Sequence, residues 1–61
     1  MRNTIPIEKL WTVTDVAEYL QMSTSWVYKA VAAKELPALR FGSRLRFNPL
    51  IVKQFAAKLA A

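Results

Sequence analysis

TVTDVAEYLQMSTSWVYKAVAAKELPALRFGSRLRF, residues 12–47, carries two helical periods, a tight turn and a hairpin, in that order. Val13, Val16, Ala17 and Leu20 recur at three- and four-residue spacing and predict an amphipathic helix ending near Leu20, with Glu18 toward water. Thr12, with Asp15 three residues on, resembles a capping box in which Asp replaces the preferred Glu, and Thr14 is an alternative N-cap. Gln21-Met22 makes the turn. Ser23 is a good N-cap for a second helix over about 24–33. On that helix Val27, Ala30 and Val31 share an inward face with Lys34, whose stem would snorkel at its edge. The opposite face carries Ser25, Lys29 and Ala32, flanked by Thr24 and Tyr28 on one side and Trp26 and Ala33 on the other. The helix should end before Leu36-Pro37, because a residue preceding proline disfavours helical angles.

Residues 38–47, ALRFGSRLRF, alternate apolar and basic side chains around Gly42-Ser43 and predict a β-hairpin. Two registers are available. A three-residue loop, 42–44, pairs Phe41 with Leu45 and Leu39 with Phe47, turning all four inward and leaving Arg40 opposite Arg46 on the solvent side. A two-residue turn pairs Phe41 with Arg44 and mixes apolar and charged residues on both faces. The longer loop is expected, since register should follow the face that is buried. The Arg40–Arg46 pair would be mildly repulsive, and a nearby phosphate would relieve it.

Outward from this unit, Leu10 and Trp11 form a very short strand or a hydrophobic lead-in, with Trp11 in the core. Asn48-Pro49 is a helix start, an N-cap followed by proline at the first helical position. The third helix should run to about Lys58, with Val52, Phe55, Ala56 and Leu59 inward and Lys53, Gln54 and Lys58 solvated. Trp26 is expected to cover the junction with this helix or the N-terminal arm; otherwise it would be exposed for DNA or a partner. Residues 1–9, with Pro6 and little pattern, read as a flexible arm, and residues 10–61 as one domain. The fold class is mainly α with a small β-hairpin.

The chain is 61 residues long and 54% hydrophobic, so it is globular in composition, with a core of marginal size. It has no cysteine or histidine, which excludes disulfides and zinc sites built from those ligands. Its net charge is +5. Between residues 29 and 46, Lys29, Lys34, Arg40, Arg44 and Arg46 face Glu35 alone, so +4 of that charge falls on the second helix and hairpin. A basic surface concentrated in this way is a polyanion footprint. A helix with small hydroxyl residues at its start and Tyr28 and Lys29 outward, beside a basic hairpin, can enter the DNA major groove with the hairpin alongside.

Catalysis is not expected. The four acidic residues are scattered, there is no glycine-rich phosphate loop, and no hydroxyl nucleophile has an evident base. No cofactor, metal or small-molecule substrate is indicated. No apolar run approaches the roughly 20 residues of a membrane span, and MRNTIPIEKL lacks the apolar core of a signal peptide. A cytoplasmic protein is expected.

With these elements in place, the segment resembles the winged helix-turn-helix of excisionase-like and related MerR-type DNA-binding domains. The matching features are an aliphatic first helix, a turn ending in serine, SWVYK in the second helix, ELPA, the basic hairpin RFGSRLRF and a closing helix, together spanning about residues 10–59. The resemblance implies that the second helix reads the major groove through Thr24, Ser25, Tyr28 and Lys29. It also implies that Arg40, Arg44 and Arg46 form a wing on phosphates or the adjacent minor groove. The family usually has glycine where this chain has Gln21, and often where it has Lys34; both sites commonly take a left-handed backbone, at a cost of about 1 kcal/mol for other residues. The implied partners are duplex DNA and, in recombination, an integrase or a second copy on DNA. Sixty-one residues leave no room for an effector domain. The expected role is a recombination directionality or architectural factor, with a small phage or mobile-element transcription regulator as the alternative. A protein-interaction module, using Trp26 or the third helix, is the reading from another class.

Overall fold

The computed structural model describes residues 10–60. Helix α1 spans Val13–Leu20, α2 Thr24–Ala32 and α3 Pro49–Ala60, and strands β1 (Leu39–Phe41) and β2 (Arg44–Arg46) form an antiparallel hairpin between α2 and α3. This is the expected mainly helical fold with a wing. The arm proposed for residues 1–9 lies outside the described residues.

The helix starts follow from side-chain chemistry. Thr12 caps α1 in a reciprocal box: the Asp15 amide donates to Thr12 Oγ1 at 3.1 Å and the Thr12 amide donates to Asp15 Oδ2 at 3.0 Å. Thr14, the alternative cap, lies inside the helix. Ser23 Oγ accepts from the Trp26 amide at 3.1 Å, and Asn48 Oδ1 from the Leu50 amide at 2.9 Å, with Pro49 opening α3 where no intrahelical donor is needed.

The ends of α1 and α2 share one device. The Met22 amide donates back to Ala17 O at 2.9 Å and the Gln21 amide to Glu18 O at 3.2 Å. The Glu35 amide donates to Ala30 O at 3.0 Å and the Lys34 amide to Val31 O at 2.9 Å. Each pair is a Schellman motif, and each requires a left-handed residue, here Gln21 (φ 58°) and Lys34 (φ 63°). The backbone therefore adopts at both positions the conformation glycine would take. It also corrects the expectation for Lys34. That residue lies beyond α2 and is exposed, so its stem does not line the core face.

Val16, Ala17, Val27, Ala30, Leu36, Phe47 and Val52 make the buried core, with Trp11, Val13, Leu20, Trp26, Val31, Ala38, Leu45 and Phe55 packed around it. Leu36, unassigned by the helical periods, is 1% exposed and anchors the segment between α2 and the wing. Leu59, expected inward, is 56% exposed, because α3 runs past the small core at its C-terminal end. Trp11 pairs with Phe47 through two backbone bonds, Trp11 N to Phe47 O at 2.9 Å and Phe47 N to Trp11 O at 2.8 Å, and its ring lies 5.2 Å from that of Tyr19.

The hairpin takes the register that the sequence reading set aside. Leu39 pairs with Arg46, Arg40 with Leu45 and Phe41 with Arg44, around a two-residue loop, Gly42-Ser43. Arg40 and Arg46 are therefore not opposite each other. Leu45 and Phe47 point to the core, but Leu39 and Phe41 are 45% and 47% exposed. Two local effects override the tidy alternation. Gly42 adopts φ 63°, which fits a tight hairpin turn at little cost, and Phe47 reaches the core by pairing with Trp11, not with Leu39. The buried face thus needs only Leu45 from the strands.

Candidate nucleic-acid interface

Helix α2 buries Val27 and Ala30 against α1, so its other side is solvent-facing by the 100° step per residue. Thr24, Ser25, Tyr28 and Lys29 are all exposed along that side. Tyr28 is 54% exposed. No acidic side chain occupies the first turn of α2, so nothing there neutralises the positive end of the helix.

The wing stands beside this face. Arg40, Arg44 and Arg46 line one open groove of about 630 Å³ together with Tyr28, Thr12, Thr14 and Ser43, and no carboxylate lines it. Thr24, Ser25 and Lys29 lie outside the groove, farther along the helix face. The fold accounts for this meeting of elements. The Trp11–Phe47 pairing sets the first turn of α1 directly against the end of β2, which brings Thr12 and Thr14 to the wing arginines. The Arg46 guanidinium is held in place by its Nη1, which donates to Leu45 O at 2.7 Å.

Residues 12–60 match a family described as a helix-turn-helix domain. The chain belongs to that family. Neither a curated protein nor a solved structure is similar enough to count as a match. In this helix-turn-helix DNA-binding domain, α1 and α2 are joined by the turn 21–23, and α2 presents its polar side to solvent.

Thr12, Thr14 and Ser43 were not singled out by the sequence reading. Thr12 was accounted for by its capping role, and Thr14 carries only a weak signal, a hydroxyl at a non-core position of an apolar helix. The Trp26 ring packs 6.2 Å from Phe55 and is half-buried at the α2–α3 junction, so it is not a bare docking residue. Among the described residues no cluster of acidic or other ligating side chains could hold a metal ion, and no helix is long and apolar enough to cross a membrane.

Proposed function

We propose that this domain binds duplex DNA with a sequence preference, α2 lying in the major groove and the basic wing on the flanking backbone. The observation that carries the reading is the carboxylate-free groove lined by Arg40, Arg44 and Arg46 together with Tyr28 of α2. Thr24, Ser25 and Lys29 read base edges or position the helix from its first turns, and Tyr28 donates to a phosphate or covers a thymine methyl at the wing side. The arginines neutralise phosphates and add affinity with little choice of sequence.

Within that activity the proposed role is architectural: a recombination directionality factor that occupies and bends DNA near an attachment site, beside an integrase or a second copy. This role is supported by the excisionase-like resemblance of the SWVYK, ELPA and RFGSRLRF segments. The primary test is a titration of labelled duplexes from the protein's own genomic neighbourhood across several salt concentrations, followed by a footprint. Binding that weakens steeply with salt and protects a defined site is expected. Absence of binding at low salt refutes the DNA reading, and a footprint confined to a promoter refutes the recombination role.

A further inference from the structure

Trp26 and Tyr28 stand two residues apart on α2, which puts them about 200° from each other around the helix. A groove at Trp26 therefore faces away from the basic groove at Tyr28. Such a groove, of about 550 Å³, is lined by Tyr19 and Leu20 of α1, Met22 of the turn, Trp26, and Ala56 and Leu59 of α3. No charged side chain lines it. Tyr19, Met22 and Leu59 are 46%, 42% and 56% exposed, so three large apolar side chains meet solvent together here. A contiguous apolar patch of this kind marks a contact surface, and the volume lies in the range that holds several side chains.

Position, reach and composition select residues 1–9 of the same chain, which lie outside the described residues. The described fold begins at Leu10, and the ring of the next residue, Trp11, lies 5.2 Å from that of Tyr19. Tyr19 lines the groove, so the entry point is one side chain away from it. Five extended residues span about 17 Å, more than the about 12 Å of the eight-residue α1, so residues 5–9 suffice to cross from Leu10 into the groove. Ile5-Pro6-Ile7 is the apolar cluster of that segment, and Pro6 fixes its own φ, which reduces the freedom lost on docking. On the way lies a shallow cleft lined by Trp11, Asp15, Glu18 and Tyr19, whose two carboxylates suit Lys9. We infer that Ile5 and Ile7 dock in the groove between α1, α2 and α3, with Lys9 beside Asp15 and Glu18. Tethering favours this occupant over a second copy, because a segment on a short linker is held at an effective concentration of about mM. The docked segment adds apolar cover to a domain with a small core and leaves the basic groove free.

The experiment is methyl NMR on the full chain, with the isoleucine, leucine and methionine methyls labelled. The expected result is a set of nuclear Overhauser contacts from the Ile5 and Ile7 methyls to those of Met22 and Leu59, unchanged on dilution. An isotope-filtered mixture of labelled and unlabelled chain should show none of these contacts between molecules. Ile5→Ser/Ile7→Ser should lower the thermal midpoint by several degrees, since the groove loses its cover. The NMR measurement needs no variant, so it decides the matter even where the double variant folds poorly. Ile5 and Ile7 methyls at random-coil shifts, without contacts, overturn the inference and describe a free arm. Contacts found between molecules in the filtered mixture assign the groove to a second copy and overturn it as well. So does a double variant that melts with the wild type.

Discussion

Gln21→Gly should make this protein more stable without changing how it binds. Gln21 sits at φ 58°, ψ 42°, where an L-residue pays for its Cβ meeting the following carbonyl oxygen, about 1–2 kcal/mol. The Schellman bonds at this end of α1 are made by backbone groups alone, the Gln21 amide to Glu18 O and the Met22 amide to Ala17 O, and glycine keeps both. Against the relieved strain stands the greater freedom of glycine in the unfolded chain, about 0.5–1 kcal/mol. The difference spans about 0–1.5 kcal/mol, with a midpoint of about 0.75 kcal/mol. On a domain of this size about 1 kcal/mol moves the midpoint by about 4–8 °C. The variant should therefore melt several degrees higher, as followed by circular dichroism at 222 nm. Gln21→Ala is the control, since it keeps the penalty and should not gain. Affinity for the footprinted duplex should be the same for all three proteins, because the turn that aims α2 already has the glycine-like conformation. A glycine variant that melts no higher than the alanine one would show that the left-handed turn is not strained. A stable glycine variant with altered affinity would show that the Gln21 side chain itself takes part in aiming α2.

Phe47 is fully buried between the wing and α1, and Phe47→Ala should destabilise the fold by about 3–5 kcal/mol, read by urea denaturation. Lys29→Ala and Ser25→Ala should weaken binding to the specific duplex more than to random DNA, each by about 1–3 kcal/mol if a base contact is lost; equal losses in competition titrations would reassign them to phosphates. Arg40→Ala, Arg44→Ala and Arg46→Ala should each flatten the log-affinity versus log-salt slope by about 0.9 on specific and random DNA alike, and three unchanged slopes would detach the wing from DNA.

The helices of this domain were legible in the sequence because their signals are local. Thr12, Ser23 and Asn48 cap the helices they were assigned, and the apolar spacings of α1 and α2 gave the faces that are buried. The exposed row Thr24, Ser25, Tyr28 and Lys29 follows from the same period. The hairpin was misread because its register depends on partners elsewhere in the chain. Nothing in ALRFGSRLRF reveals that Phe47 is claimed by Trp11, and without that fact burying all four apolar residues looks like the better solution. Leu36 was missed for a related reason: it belongs to no period, and only the approach of other elements buries it. In the candidate site, the wing arginines were visible as a run of charge, but the convergence of Arg40, Arg44 and Arg46 with Tyr28, Thr12 and Thr14 is a product of the three-dimensional path.

The two backbone bonds between Trp11 and Phe47 have a kinetic consequence. They join the residue that leads into α1 to the residue that leads into α3, so the whole helix-turn-helix and its wing form a closed loop of chain. Helix and hairpin amides can form and open with their own neighbours, but this pair forms only when the ends of the loop meet, which makes it a step of large sequence separation in folding. Hydrogen exchange at the Trp11 and Phe47 amides should consequently report opening of the entire domain. The hairpin amides, flanked on one side by solvent, should exchange through smaller and more frequent openings that leave α2 intact. The wing can then move while α2 stays folded.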